Sequence, residues 1–327
     1  MNTKHRASTF IHRFAGPGEG SGVVCFRFWQ LVPAAGCPYA CAYCFLQTTP
    51  EFVFNPDWLY GLVYTNVDDM IRQLDRWLTD STPKMMIVGE LQDGLVFDSA
   101  YKKVTRRPLT HWVIPRFAAQ SRHRLIFLTK STEIEHALEL APTPSVVFSW
   151  SVNAETVGQQ WEHGAPLPSK RFAAARRMKA AGWSIRFRLD PMIPYSGWQE
   201  GYAEAICQIN ELRPEMVTLG ALRATNKYRL RSAARKNGRD DSIFDYLAER
   251  DPSNFKFRIP FEQQVALFRF AIDHLDSPIT PALCKEDETV WRALGLPFKG
   301  CHCLLGADDH LVSEKSQAPK SELVQIR

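Results

Sequence analysis

The residues best suited to chemistry stand close together near the start of the chain. Cys37, Cys41 and Cys44 fall at spacings of four and three within Gly36–Gln47, GCPYACAYCFLQ. Gly36 and Pro38 make this a loop, and the aromatic residues Tyr43 and Phe45 flank the last thiol. Cysteine thiolates hold iron–sulfur clusters, and a [4Fe–4S] cube with four such ligands is coordinatively closed. Three thiolates leave one iron open. An open position on a metal is what a reacting molecule needs, as at catalytic zinc. The alternative is a structural zinc site, but zinc fingers favour C-x2-C pairs answered by a second pair, and none follows within 60 residues.

Such a loop must be held by a scaffold, and the composition allows one. The chain has 327 residues, 45% of them hydrophobic and 12% aromatic, enough for an α/β barrel with a sizeable core. Eight cysteines are too few for a secreted disulfide framework, and their grouping suggests metal. No N-terminal apolar core of a signal peptide and no 18-residue apolar run is present, so a cytoplasmic protein with no membrane partner is expected. The net charge of +5 is mild, and its distribution matters more.

The elements that would position the loop follow in order. Residues 1–24 carry Lys4, His5, Arg6, His12 and Arg13 ahead of GPGEGSG and read as a flexible, weakly basic arm. Cys25–Val32 reads as a strand that delivers the chain to the cysteine loop. Apolar residues at 67, 70, 71, 74, 77 and 78 predict a helix with Asn66 as N-cap. Short apolar strands at 84–89, 124–130, 145–152, 184–189 and 216–219 alternate with helices at 132–140, 169–181 and 198–212. About six alternations predict a parallel partial (β/α)6 barrel over 25–225, with right-handed crossovers. Sites in such sheets lie at the C-terminal ends of the strands, and each end carries a polar residue. These are Glu90 with Asp93, Lys130, Ser151 with Asn153, Asp190, and Arg223. Residues 226–312 depart from the alternation and read as a C-terminal extension with a helix at 260–275; 313–327 reads as a disordered tail.

The spacing C-x3-C-x2-C followed by an aromatic residue resembles that of the radical S-adenosylmethionine (SAM) enzymes. With Thr48-Thr49, Val63-Tyr64-Thr65-Asn66, Phe127-Leu128-Thr129-Lys130, Phe148–Asn153, Pro191-Met192-Ile193-Pro194, Gly197-Trp198 and Gly201-Tyr202, the chain resembles the spore photoproduct lyase family over roughly residues 25–225. The resemblance implies a radical SAM partial barrel, a cluster on Cys37, Cys41 and Cys44, and SAM chelated at the open iron. One electron, from a flavodoxin- or ferredoxin-type donor, would then cleave SAM to a 5′-deoxyadenosyl radical. It further implies that Lys130 and Ser151 help hold SAM and that Glu90 meets its amino group. Tyr43, Asp93, Asn153 and Asp190 belong to the same expected cofactor site, and DNA is the expected substrate.

One departure bears on the reaction. The lyases resembled here carry a hydrogen-donating cysteine at the end of the strand corresponding to Lys84–Gly89, whereas this chain reads Val88-Gly89-Glu90-Leu91-Gln92-Asp93-Gly94. Modification or rearrangement of a thymine-derived or modified base is therefore the first reading, and dimer repair with another donor the second. Tyr43, Tyr64 and Tyr195 are the tyrosine candidates for relaying a hydrogen atom, with Tyr39 beside them. A third reading, a nucleic-acid-binding protein with a structural or redox-sensing cluster, has no use for a SAM pocket.

Ala221–Arg239 holds Arg223, Lys227, Arg229, Arg231, Arg235, Lys236 and Arg239 with no acid, a pattern suited to phosphates or to a solvated face. Trp29, Trp150, Trp183 and Trp198 are candidate stacking surfaces for an extruded base. Cys284 with Cys301 and Cys303, completed by His302 or Glu286, could hold a second metal, or these are packing thiols.

Overall fold

The computed structural model describes residues 2–296, apart from 15, 17–22, 24, 26–27, 56–58 and 252–255. Its centre is an eight-stranded sheet of β2 (Ile11–Arg13), β3 (Trp29–Leu31), β6 (Met85–Val88), β7 (Arg124–Thr129), β8 (Val146–Val152), β9 (Ser184–Met192), β10 (Met216–Ala221) and β14 (Thr280–Leu283). Their spatial order is β14-β10-β9-β8-β7-β6-β3-β2. All neighbours pair in parallel except β2, which runs antiparallel to β3 at one edge. A parallel sheet is covered on both faces, and its central strands read as unbroken apolar runs. All seven residues of β8, VVFSWSV, are accordingly buried.

The helices fit their sequences. In α2 (Val67–Leu78), Val67, Met70, Ile71, Leu74 and Trp77 bury one face, while Asp68 and Asp69 in the first turn complement the helix dipole. Asn66 precedes this helix but its side chain caps nothing. It holds the N-terminal segment instead, accepting from the Arg6 amide at 2.9 Å and donating to the Arg6 carbonyl at 3.1 Å. Helices α6 (Glu155–Trp161), α7 (Pro168–Ala180) and α8 (Trp198–Leu212) pack against one another and join β8, β9 and β10.

Two expected boundaries shift. The N-terminal segment is not a free arm where it is described: β1 (Asn2–Lys4) pairs in parallel with β5 (Leu62–Tyr64), and β2 joins the main sheet. Short strands need only a partner edge, and their weak hydrophobic patterns hid them. At the other end, β14 adds a seventh parallel strand beside β10, so residues beyond 225 extend the barrel sheet. Its four residues, Thr280–Leu283, carry too short a pattern to be separated from loop. Helix α9 (Lys227–Lys236) holds the basic stretch, and α10 (Phe261–His274) packs on α8. Among the described residues, no helix is long and apolar enough to cross a membrane. The segment after Leu296, including Cys301, His302, Cys303 and the expected tail, lies outside the described residues.

Candidate active site

A cavity of about 420 Å³ opens at the C-terminal ends of the sheet strands, within the range of small-molecule sites. Cys37, Cys41 and Cys44 line one side of it, and Glu90, Asp93, Lys130, Ser151, Asp190 and Arg223 come to it from successive strand ends. Order along the sheet places them: β6 delivers Glu90, β7 Lys130, β8 Ser151, β9 Arg188 and Asp190, and β14 Cys284 and Lys285.

The cysteine loop is tied down by its own backbone and by the segment after α6. The Cys44 amide donates to the Cys41 carbonyl at 3.0 Å, and the Gln47 side-chain amide caps the Cys41 carbonyl at 2.9 Å. From outside, the Ala42 amide donates to the Trp161 carbonyl at 2.9 Å and the Gly164 amide to the Tyr39 carbonyl at 3.1 Å. A Cβ at position 164 would stand 2.2 Å from the Tyr39 oxygen, so only glycine allows this approach.

Burial pushes all three thiols upward, Cys41 to about 12. Left to themselves they are neutral. A bound metal deprotonates a coordinating thiol outright, so this donor set fits a cluster whose iron supplies the compensating charge. Among the described residues no three His, Cys, Asp or Glu side chains converge to hold a single ion. A polynuclear cluster spreads its thiolate ligands over several irons, and the cavity beside the loop gives it room.

The rest of the wall is charged. Lys130 Nζ stands 3.6 Å from Glu162 Oε1 and 5.7 Å from the Tyr43 ring centre. Arg188 donates to Asp190 at 2.8 Å, and Arg223 lies 3.7 Å from the same carboxylate. These two guanidinium groups outweigh the burial that would raise Asp190 and hold its carboxyl far below the usual range. The carboxylate sits over Gly220, where a Cβ would fall 2.5 Å from Asp190 Cγ. The Cys284 thiol faces the same cations, with Arg188 Nη2 at 3.0 Å and Arg223 Nη2 at 3.7 Å. Lys285 Nζ lies 3.3 Å from Glu90, which therefore already has a cation beside it.

Several expected residues stand elsewhere. Asn153 is buried, donates to the Pro191 carbonyl at 2.8 Å and does not line the cavity. Tyr64 packs edge-on against Phe10 under the Arg6 guanidinium, and Tyr195 packs among Trp161 and Tyr202; neither lines the cavity. Of the tyrosines, Tyr43 and Tyr39 do. Asp93 lines it, but its oxygens accept from Thr129 Oγ1 and the Lys130 amide, both at 2.6 Å, and from the Leu95 and Val96 amides at 3.0 Å. It is a bracket between two loops. Trp150 and Trp183 are core, Trp198 packs on Phe270 and Trp29 on Trp77; none lines the cavity. Cys284 meets guanidinium groups, an environment opposed to a second cation, and its supposed partners Cys301 and Cys303 are outside the described residues.

The basic stretch divides. Arg223 belongs to the cavity wall. Lys227 donates to the Leu247 carbonyl at 2.6 Å, Arg231 pairs with Asp241 and Asp245, and Arg235 pairs with Asp241 at 2.8 Å. Among the described residues, Arg229 and Lys236 have no carboxylate partner. Sequence reasoning missed Glu162, Arg171, Arg188 and Lys285. Arg186 and Arg188 within a buried parallel strand were the one available signal, since charges there require partners.

An open parallel barrel with a three-cysteine loop at its strand ends is the architecture of a radical SAM protein. The family model for spore photoproduct lyase matches residues 29–236, and the chain belongs to that family. The spore photoproduct lyase of Bacillus subtilis is 27% identical over 185 residues, 56% of this chain and 51% of that protein. That of Geobacillus is 31% identical over 174 residues, 52% of this chain and 48% of that one. The chain thus spans about half the length of the curated relatives it matches. A solved spore photoproduct lyase complexed with dinucleoside spore photoproduct superposes with a TM-score of 0.66 at 20% identity, covering 86% of this chain and 80% of that one. A mutant of such a lyase with bound AdoMet and dinucleoside spore photoproduct gives 0.60 at 23% identity, over 78% of this chain and 75% of that one. At these identities the likeness is one of fold.

Proposed function

We propose that this chain is a radical SAM enzyme acting on a thymine-derived or modified base in DNA, supplied with single electrons by a flavodoxin- or ferredoxin-type donor. The observation that carries the reading is the convergence of Cys37, Cys41 and Cys44 with Lys130, Ser151, Glu90 and Asp190 on one cavity. A [4Fe–4S] cluster with SAM supplies, when bound, a 5′-deoxyadenosyl radical by one-electron cleavage of SAM. The three thiolates would hold the cluster. Lys130 presents a cation and Ser151 a hydroxyl to the cofactor's polar groups, with Glu90 as the acceptor. The Asp190–Arg188–Arg223 wall closes the far side, where a polar substrate would meet fixed charges. The family and the relatives' substrate support DNA as partner, and Arg229 and Lys236 on α9, which have no carboxylate partner among the described residues, offer phosphate contacts.

A second reading, repair of a thymine photoproduct with a different hydrogen donor, is favoured by Cys284. Its thiol lines the cavity, and the guanidinium groups of Arg188 and Arg223 cover its sulfur lone pairs. The S–H would give its hydrogen atom to a product carbon radical, forming C–H and leaving a thiyl, which a one-electron reductant and a proton return to thiol. The experiment is anaerobic turnover with SAM, dithionite and DNA deuterated in its thymine methyl groups. Deuterium in 5′-deoxyadenosine is expected. Deoxyadenosine without deuterium would remove the thymine methyl group as the site of abstraction, and loss of product closure in Cys284→Ala alone would select the second reading.

A further inference from the structure

Behind the cysteine loop lies a fully enclosed ion pair between Glu162 and Arg171, both side chains 0% exposed. Arg171 is held on every arm: Nε donates to the Pro166 carbonyl at 2.6 Å, Nη1 to the Ser151 carbonyl at 3.1 Å and Nη2 to Glu162. The other oxygen of Glu162 accepts from the Tyr43 hydroxyl and stands 3.6 Å from Lys130 Nζ. Buried ion pairs give little net stability, and apolar side chains of similar volume often do as well or better. This pair therefore calls for another reason, and its contacts supply one. Of its four outward contacts, three end on Tyr43, Lys130 and Ser151, all of which line the cavity.

We propose that Glu162 is a positioning residue for the cofactor site. It anchors the Lys130 ammonium and the Tyr43 ring beside the turn between Cys41 and Cys44. By cancelling the charge of Arg171, it also leaves one net positive charge, that of Lys130, beside the thiolates. The attraction of Lys130 and Arg171 outweighs burial and keeps Glu162 ionised, holding it down at about 2. The inference rests on the cofactor reading proposed above and deepens it. It assigns the placement of the cation facing SAM, and the local charge felt by the cluster, to a residue that does not line the cavity.

The test uses the full chain reconstituted with iron and sulfide, comparing Glu162→Gln with the double variant Glu162→Gln/Arg171→Met. Readouts are iron per chain, the cluster midpoint potential, and SAM affinity from the change in the cluster's electron paramagnetic resonance signal. Glu162→Gln leaves Arg171 uncompensated, so the potential moves positive and SAM binds about tenfold more weakly, as for a lost contact to a charged group. The double variant again has one net positive charge, so its potential returns toward wild type. Its SAM affinity stays about tenfold low, because Lys130 has lost its anchor. Should Glu162→Gln fail to fold, the double variant alone carries the test, since it removes both fully enclosed charges. A double variant equal to wild type in SAM affinity overturns the proposal and leaves the cofactor reading intact. A wild-type chain with no SAM-responsive cluster overturns both.

Discussion

Replacing Gly164 with alanine tests how the cysteine loop is held. The new Cβ would lie 2.2 Å from the Tyr39 carbonyl oxygen, 2.7 Å from its carbon and 2.8 Å from the Tyr39 Cα. These are backbone atoms two residues from both Cys37 and Cys41, so no side-chain rotation relieves the clash. The two segments must part by roughly 1 Å to reach ordinary contact. That loses the Gly164–Tyr39 hydrogen bond of 3.1 Å, worth about 1 kcal/mol net. Displaced packing adds about 1–3 kcal/mol, so the expected loss is about 2–4 kcal/mol. Urea denaturation followed by tryptophan fluorescence measures it, with His163→Ala, an exposed neighbour, as a control that stays near wild type. Iron per chain after anaerobic reconstitution should fall in Gly164→Ala, because the loop that moves carries the thiols. Wild-type stability together with full iron loading would refute the claim that the segment after α6 sets the loop.

Asp93→Ala strips an acceptor from four donors and should cost at least about 3 kcal/mol in urea denaturation, even without cofactor; no loss in the apoprotein would return Asp93 to the role of cofactor ligand. Arg229→Gln with Lys236→Gln should lower the slope of log binding constant against log salt for duplex DNA by about 2. Arg231→Gln with Arg235→Gln should change it less, because Asp241 and Asp245 already offset those charges; equal effects would show that the whole helix touches phosphates. Burial raises the Glu286 carboxyl from 4.5 to about 7 against the pull of Arg223. A raised folded-state value favours the neutral form, so this contribution is full below pH 4.5 and lost as pH rises through 7. Wild-type stability relative to Glu286→Gln should therefore fall by up to about 3 kcal/mol across that window, and a flat difference would show that Glu286 titrates normally.

Much of this fold was legible because long-range order here follows local pattern. The apolar strands at 84–89, 124–130 and 145–152 and the helix 67–78 carry periods that admit one reading, and alternation of strand and helix fixes a parallel sheet. The short edge strands were not legible: β1 has three exposed residues and β14 four residues in a proline-containing run, so only pairing defines them. For the same reason the cavity wall from β14 was missed, and Cys284 seemed part of a remote metal site. Strand-end positions singled out Glu90, Lys130, Ser151 and Asp190, and a parallel sheet collects these four at one mouth. Asn153 sits two residues after Ser151 and misses the cavity, because its amide is taken by the Pro191 carbonyl. Charge runs were the least informative signal. The acids that pair with Arg231 and Arg235 lie up to 14 residues downstream, beyond the end of the basic stretch.

The central claim is that Cys37, Cys41 and Cys44 hold a cluster at which SAM is reductively cleaved. Its most direct test is anaerobic reconstitution of wild type and Cys41→Ala with iron and sulfide, followed by SAM and dithionite and quantification of 5′-deoxyadenosine. Wild type should show a reduced-cluster resonance that shifts on adding SAM and should form deoxyadenosine, while Cys41→Ala shows neither. Deoxyadenosine from Cys41→Ala at the wild-type level, or none from a fully iron-loaded wild type, would contradict the account.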